Sequence, residues 1–425
     1  MLDVILKEIK NNNIEEYIIT ENKLQAVELY FIKKDLEMSR KKQLKDYTVR
    51  VFKNFSENTV EYKGDATVKI HSFTNEEEIS KIIKDAYFSA SFVKNKAYSL
   101  PDGFSGEVQE KENNISKITL EESAIEVKNS LYKYDNLDKG FINSAEIFIE
   151  KNNKRIISSK GTNISFTRYN VSGEFITQWV ENQDVEIYND FSYDGLPGEE
   201  LSLKVKEALI ATKYRDKSTD ALKSGKYNLI LSEDSVSEII NYYISQSRTS
   251  FVYNKYSNSK VEDLLQGKGV KGDKLNLILT STIPVDDNGI RLVDRILLED
   301  GVLKTLHGNF KFADYLNVTK TGDYNCAILK GGTISINEML QNGDIHILRF
   351  SDFQMNTLTG DFGGEIRLAL LKKDGELIPF TGGSLSANIK ELQSDIILSK
   401  ELYKNDSYIT PKAIKFKNVQ ISGSN

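Results

Sequence analysis

Long stretches of alternating apolar and polar residues constrain the fold of this chain more than any other feature of its sequence. The alternation is clearest at residues 26–32 and 47–52, within a region from Ile14 to about Phe73. Successive side chains of a strand point to opposite faces of a sheet, so this pattern predicts strands with one buried face. We therefore predict an antiparallel meander there. A second set of strands is predicted from Ala145 to about Ser192, with a turn at 152–153.

Helices are predicted before, between and after these strands. The first comprises residues 2–13. A capping-box pattern with Thr74 as the N-cap predicts a second helix, whose apolar face should lie on the meander. That face comprises Ile79, Ile82, Ile83, Ala86, Ala90 and Phe92. Further helices are predicted at 121–134 and 197–214, and the polar segment 96–116 is predicted to be a linker or exposed loop.

The length of the chain requires more than one hydrophobic core. Its 425 residues exceed the roughly 250–300 that one core accommodates. A predicted strand at 227–231 is followed by a predicted helix at 234–247 with Ser232 as its cap, and the sequence then becomes β-rich. We therefore predict an α+β fold with two domains. The N-terminal domain, residues 1–195, combines helices with an antiparallel sheet, and the C-terminal domain, residues 196–425, is β-rich.

Charge and hydropathy exclude several classes of partner. Lys and Arg number 56 and Asp and Glu 62, without a long block of one sign, and the short run Arg40–Lys42 is predicted to be a solvated strand end or turn. No apolar stretch approaches the ~20 residues of a membrane span, and the N-terminus lacks the apolar core of a signal peptide. We therefore expect a cytoplasmic protein that binds neither membranes nor nucleic acid directly.

Residues that could carry catalysis are sparse. The three histidines, His71, His307 and His346, are far apart in the sequence and lie outside any His-Glu-x-x-His pattern. A zinc peptidase needs about three ligands and a carboxylate base, so we predict no metal site in this chain. A site formed by His307, His346 and the single cysteine, Cys326, is the alternative that remains open. The sequence contains neither a Gly-x-Ser-x-Gly elbow nor a phosphate-binding loop motif.

Two segments, one with three glycines and one with two adjacent aspartates, are predicted to form turns and not ligand-binding sites. Gly267, Gly269 and Gly272 have a loose spacing that differs from phosphate-binding loops. Asp286 and Asp287 lie in the sequence Pro-Val-Asp-Asp-Asn-Gly, which is typical of a turn. We predict a turn at each segment.

A series of motifs runs through the second half of the chain. It comprises Leu277–Asp287, Leu298–Leu303, Ala313–Leu316, Thr321–Asn325, Thr359–Phe362, Pro379–Asn388 and Thr410–Gly423. In this order the motifs resemble the C-terminal domain of the TldD/PmbA family of zinc-peptidase-related proteins, also known as modulators of DNA gyrase. The Thr-Gly-Asp-Phe motif is similar to the Ser-Gly-Asp-Phe of the PmbA (TldE) branch. The resemblance implies an N-terminal α+β domain with a curved antiparallel or mixed sheet, and a β-rich C-terminal domain of the TldD/PmbA type.

The catalytic branch of this family carries His-Glu-x-x-x-His on the helix after the domain-opening strand, and a C-terminal cysteine completes its zinc site. If Asn241 and Gln246 occupy the two histidine positions here, Tyr242 replaces the glutamate base, and no cysteine follows Cys326. Amides are weak zinc ligands, and tyrosine is a poor base because its unperturbed pKa is about 10. The resemblance therefore implies a pseudoenzyme of the non-catalytic branch. The alternative is that Asn241 and Gln246 are simply exposed helix residues.

The resemblance implies the non-catalytic subunit of a cytoplasmic zinc metallopeptidase complex that supports proteolysis of unfolded or leader peptides. A catalytic TldD-like partner would supply zinc in a heterodimer, and this chain, without a cofactor of its own, would shape the peptide cleft. The candidate cleft residues are Ser245, Thr359, Gly360, Asp361, Phe362 and Gly363. The alternatives are a stand-alone peptide-binding or scaffold homodimer without enzymatic activity, and an independent hydrolase with a metal site outside these motifs. At residues 287–294 the chain departs from the family pattern, with a shorter loop and Val293-Asp294-Arg295 in place of Asp-x-Glu-Gly.

Overall fold

Three β-sheets organise the part of the chain that the computed structural model describes, residues 1–106 and 113–423. The helices are α1 (Leu2–Asn11), α2 (Glu76–Ala90), α3 (Leu120–Tyr132), α4 (Glu199–Asp216), α5 (Asp234–Gln246), α6 (Thr249–Tyr253), α7 (Phe310–Leu316), α8 (Ile336–Met339) and α9 (Ile389–Leu392), with short 3-10 helices at Asn114–Lys117 and Gln393–Asp395. The strands of the first half are β1 (Glu16–Ile32), β2 (Asp35–Glu57), β3 (Val60–His71), β4 (Asn95–Lys96), β5 (Gly140–Ser158), β6 (Asn163–Val180) and β7 (Asp184–Tyr193). Those of the second half are β8 (Gly225–Ser232), β9 (Leu277–Thr280), β10 (Arg295–Glu299), β11 (Val302–Leu303), β12 (Cys326–Leu329), β13 (Ile345–Met355), β14 (Asp361–Lys373), β15 (Glu376–Phe380), β16 (Ser384–Asn388), β17 (Ile397–Leu398), β18 (Leu402–Lys404), β19 (Tyr408–Pro411) and β20 (Ala413–Ser422).

The first sheet is a curled, antiparallel sheet of seven strands in the order β4-β3-β2-β1-β5-β6-β7. The predicted meander is β1, β2 and β3. The turn predicted at 152–153 is wrong, because β5 continues through these residues without a break. Asn152 lies opposite Leu24 of β1 on one side and opposite Arg168 of β6 on the other. Backbone pairing along both edges thus holds this polar segment extended, against the local preference of Asn for turns.

Helices α1 and α2 cover one end of this sheet, where Ile5, Tyr47 and Ile83 are buried together. The N-cap of α2 is Asn75, whose side chain accepts from the backbone N–H of Glu78 while the Glu78 carboxylate accepts from the N–H of Asn75. The capping box therefore starts one residue later than predicted. Phe92 was assigned to the buried face, but it lies beyond the end of the helix and is 69% exposed.

Helices α3 and α4 cover the other end of the sheet, over β1, β5, β6 and β7. Leu201 and Val205 of α4 share a core there with Val171 and Phe175 of β6. In the predicted linker, Tyr98 and Leu100 are buried, whereas residues 107–112 lie outside the described residues. A domain division at residues 195–196 stays a prediction. None of the described helices combines the length and apolarity needed to cross a membrane.

The second half contains two sheets with α5 between them. A six-stranded sheet has the order β11-β10-β9-β12-β19-β18. In the other sheet, β13 pairs with both β8 and β14, so β13, β8, β20, β16 and β14 form a closed ring of five strands. Apolar side chains of α5, among them Val236 and Ile240, pack in one core with Leu229 of the ring and Leu277 of the six-stranded sheet. The combination of helices and these sheets confirms the predicted α+β fold.

Candidate functional site

Helix α5 follows the strand that opens the second half, and its first turn begins at an unusual backbone position. The N-cap is Glu233, with φ 55° and ψ −122°, and its side chain makes no capping hydrogen bond. A non-glycine residue with this backbone conformation is strained. Ser232, predicted to be the cap, instead shares a hydrogen bond of 2.7 Å between its Oγ and Nε2 of His346. Parallel pairing of β8 with β13 brings these two residues together.

The three positions compared with the family's zinc motif make separate contacts. The hydroxyl of Tyr408 in β19 donates to Oδ1 of Asn241 over 2.5 Å. Nε2 of Gln246 donates to the carbonyl oxygen of Thr357 over 2.7 Å. Tyr242 is 5% exposed and packs in the core, where burial raises the pKa of its phenol. Gln246 is 7% exposed, so the alternative that both amides are exposed helix residues is wrong.

The candidate cleft residues fall into two groups. Thr359 and Gly360 belong to the turn between β13 and β14, which the bond from Gln246 holds against the end of α5. The Asp361 carboxylate accepts from Oγ1 of Thr359 (2.6 Å) and Nδ2 of Asn388 (2.7 Å), and these bonds lower its pKa. Phe362, in contrast, was misassigned, because its ring is 4% exposed and packs against other core aromatic rings.

The other two candidate cleft residues are Gly363 of β14 and Ser245 of α5. Gly363 lies where β14 approaches β16 so closely that a Cβ atom would stand 2.3 Å from the carbonyl oxygen of Leu385. Ser245 is half-buried near the end of α5. The structure therefore holds the turn with Thr359 and Gly360 against the end of α5, which contains Ser245, while Phe362 belongs to the core.

The histidines and the cysteine do not form a common site. Nε2 of His307 donates to the carbonyl oxygen of Ile244 over 2.9 Å, and burial lowers the pKa of the imidazole to about 4. Burial likewise lowers the pKa of His346 to about 4. Sγ of Cys326 donates to the carbonyl oxygen of Asp406. Among residues 1–106 and 113–423, no group of three or more His, Cys, Asp or Glu side chains is placed to hold a metal ion.

A polar cluster at the start of α5 was missed by sequence reasoning. Arg349 of β13 lies 3.2 Å from the Glu233 carboxylate, and the Lys412 ammonium lies 3.8 Å from it. Burial opposes ionisation of Glu233, but these cations lower its pKa overall. The cluster borders a cleft of about 310 Å³ that also contains Asp234 and Glu238, whose pKa values are raised by burial. The residues of the cluster come from segments far apart in the sequence, so no short sequence motif predicts the cluster.

A larger cleft of about 980 Å³ lies between the first sheet and the second half of the chain. Val293 and Asp294, from the loop that departs from the family pattern, line it. The guanidinium of Arg291 lies over the ring of Phe104, 5.5 Å from its centroid. The lining combines cationic, acidic, aromatic and amide side chains, so the cleft is polar and not a site for a small apolar ligand.

The predicted turns are present. Gly267 and Gly269 have positive φ values of 86° and 72° in a loop. The buried Asp286 carboxylate accepts from the backbone N–H groups of Asn288, Ile290 and Asp323, at 2.9, 2.9 and 3.1 Å. This carboxylate is therefore a structural acceptor that closes the turn.

Residues 224–423 match the family model of the PmbA/TldA metallopeptidase C-terminal domain. TldE from Thermococcus kodakarensis is similar to the chain, with a TM-score of 0.82 and 15% identity over 99% of this chain and 100% of that chain. A candidate modulator of a DNA gyrase from Thermotoga maritima has a TM-score of 0.78 and 16% identity over 99% of each chain. Another, from Bacteroides thetaiotaomicron, has a TM-score of 0.76 and 16% identity over 100% of this chain and 99% of that chain. Comparison with curated protein sequences gave no match.

Sequence identities of 15–16% with the solved structures establish the fold alone. The sequence match at residues 224–423 assigns that part of the chain to the PmbA/TldA C-terminal domain family. The resemblance inferred from the motifs of the second half is confirmed, because residues 224–423 belong to the C-terminal domain family of the TldD/PmbA proteins and the whole chain shares their fold.

Proposed function

We propose that this chain is a non-catalytic subunit of a cytoplasmic TldD/PmbA-type zinc metallopeptidase complex, and that it supports proteolysis of unfolded or leader peptides. The observation that carries the proposal is the chemistry of α5. This helix follows the opening strand of the domain, where the catalytic branch has His-Glu-x-x-x-His, and it presents Asn241, Tyr242 and Gln246 instead.

These residues do not fit a zinc ion. Asn241 and Gln246 each already form a hydrogen bond with a different element, Asn241 with Tyr408 of β19 and Gln246 with Thr357 in the turn before β14. An amide oxygen is a weak zinc ligand, and the oxygen of Asn241 already accepts from Tyr408. Because burial raises the pKa of Tyr242, its phenol stays protonated at neutral pH and is unsuited to act as a general base.

The division of labour follows from this chemistry. A catalytic TldD-like partner would supply zinc and the base, and this chain would contribute surfaces that hold the peptide. The turn containing Thr359 and Gly360, held against α5 by Gln246, is one such surface. The cleft of about 980 Å³ between the two halves is another.

Co-expression with a catalytic-branch subunit from the same genome tests the proposal. We expect the two chains to co-elute and to degrade unfolded casein in a zinc-dependent manner. A catalytic subunit with Gln in place of its glutamate base serves as the inactive control. The isolated chain should hold well under one equivalent of zinc after dialysis and should hydrolyse no casein. Zinc-dependent hydrolysis by the isolated chain would contradict the proposal. A stable homodimer that does not bind the catalytic subunit would favour the stand-alone scaffold.

A further inference from the structure

Strand β2 has an open edge next to the point where β3 ends. β3 pairs with residues 46–57 of β2, and the backbone N–H of Ser72 then donates to the carbonyl oxygen of Lys45. From Leu44 back to Asp35, β2 pairs with β1 on its other side only. A shift in the β1–β2 register at Tyr30 and Phe31 disturbs the ladder near Glu37. The regular open edge, residues 38–44, has no backbone partner on its outer side among the residues that the structure describes.

The direction of the backbone groups on this edge follows from the bond between Ser72 and Lys45. In an antiparallel sheet, alternate residues direct both their N–H and their C=O to the same neighbouring strand. Since the carbonyl of Lys45 points to the side of β3, the groups of Ser39, Lys41 and Gln43 point to that side too. Each of them offers one donor and one acceptor, in the spacing that an added strand requires.

The side chains of the edge are exposed and basic. Residues 38–45 include the cations Arg40, Lys41, Lys42 and Lys45, and no carboxylate. These four cations share three carboxylates from other elements: Glu28 pairs with Arg40 and Lys42, Glu21 pairs with Lys45 and also with Lys23 of β1, and Glu121 pairs with Lys41. Positive charge therefore exceeds negative charge along the edge.

Exposed apolar side chains mark the two ends of the edge. Met38 is 46% exposed and Leu44 is 54% exposed. Phe73, the residue after Ser72, is 86% exposed at the point where the chain leaves the sheet. A strand added to the edge would lie in line with β3 and meet Phe73 at one end.

We propose that residues 38–44 of β2 bind an extended, acidic polypeptide segment as an additional strand in line with β3. The unpaired groups of Ser39, Lys41 and Gln43 would bond its backbone, and the cations would pair with its Asp or Glu side chains. A second copy of this edge fits poorly, because it would set these cations against the same cations, and like charges opposite each other destabilise strand pairing. The edge belongs to the first sheet, and the isolated chain suffices for its test, so the inference stands independently of the proposed function.

Labelled peptides test the charge of the ligand. An eight-residue peptide of alternating Thr and Glu should bind the full-length chain in fluorescence anisotropy, and its affinity should fall as salt is added. A matched peptide with Lys in place of each Glu should bind at least tenfold more weakly. Equal binding of the two peptides, or no binding of the acidic peptide, would overturn the proposal.

A pair of variants at one position tests the backbone bond. Lys41→Ala removes the side-chain charge and keeps the outward N–H, whereas Lys41→Pro removes both. The N–H of Lys41 faces away from β1, so Pro leaves the bonds between β1 and β2 intact. We expect Lys41→Pro to bind the acidic peptide roughly three- to tenfold more weakly than Lys41→Ala. Equal affinities would contradict strand addition.

Amide exchange in the unmodified protein gives a measurement that needs no variant. The acidic peptide should slow exchange at residues 39, 41 and 43, and leave residues 40, 42 and 44, which already face β1, unchanged. Uniform protection or none would contradict the assigned edge. Self-association in sedimentation that Lys41→Pro abolishes would show that the occupant is a second copy, and would also overturn the proposal.

Discussion

Gln246, the last residue of α5, donates from Nε2 to the carbonyl oxygen of Thr357, 2.7 Å away. The bond joins the helix compared with the family's zinc motif to the turn before the Thr-Gly-Asp-Phe segment. One end of the bond lies on the helix that the resemblance selected, and the other lies shortly before the candidate cleft residue Thr359. Their contact makes the turn and the helix a single unit.

Replacing Gln246 with Ala should destabilise the protein by about 1–2 kcal/mol, because the carbonyl of Thr357 loses its partner next to a buried side chain. Urea unfolding followed by circular dichroism measures this change. Gln25→Ala, at an exposed position of β1, is the matched control and should change stability by less than about 0.5 kcal/mol. Equal effects of the two changes would mean that the bond contributes nothing.

Restoring the family motif by Asn241→His, Tyr242→Glu and Gln246→His together should give weak zinc binding at most and no efficient hydrolysis. Positions 241 and 246 direct their side chains to different elements, and a catalytic zinc site usually takes three protein ligands held by second-shell bonds. Zinc titration and a casein assay on the isolated triple variant measure the outcome. Zinc-dependent cleavage by that variant would show that the catalytic geometry has been retained.

Asp286 and Asp287 should differ sharply on replacement by Ala, although they are adjacent. Asp286→Ala leaves three backbone N–H groups without their acceptor and should destabilise the protein by about 2–4 kcal/mol. The side chain of Asp287 is 72% exposed and pairs with Lys154, so its loss should change stability by less than about 0.5 kcal/mol. Thermal and urea unfolding compare the two variants. Similar losses would contradict the structural role given to Asp286.

The buried His307 should make stability depend on pH between about 6.5 and about 4. Its pKa in the folded protein is lowered to about 4 by burial, from an ordinary value of 6.5. In this window the unfolded chain binds the proton and the folded protein does not, so stability falls as the pH is lowered. The loss from this side chain should reach roughly 2–3 kcal/mol. Urea unfolding at pH 7, 5 and 4 should show a flatter profile for His307→Gln than for the wild type, and parallel profiles would contradict this assignment.

The sequence patterns predicted most helix and strand positions correctly where the local preference of a segment agrees with its tertiary contacts. The helix α1 and the meander β1–β3 are examples. Asn152 does not form the expected turn, because pairing of β5 with strands on both sides outweighs the preference of Asn for turns. Ser232 is not the expected N-cap, because its hydroxyl group forms a hydrogen bond with His346 from a distant strand.

The same limit applies to the candidate site. The substitution pattern of α5 is visible in the sequence, because Asn241, Tyr242 and Gln246 stand on one helix. The cluster of Glu233, Arg349 and Lys412 is not, because separate strands of the closed ring and the segment before β20 bring it together. The burial of Phe362 could not be predicted from the sequence either, because the motif that contains it spans an exposed turn and a core strand.

The pairing of β1 with β5 has a consequence for the order in which the protein is made. β1 spans residues 16–32, and its partner on the inner side spans residues 144–158, more than a hundred residues later. At about 5–20 residues per second, a ribosome needs roughly five to twenty seconds to synthesise the intervening chain. During that interval β1 can pair with β2 while its other edge stays open. The nascent N-terminal hairpin is therefore the part of this protein for which we expect a chaperone to matter most.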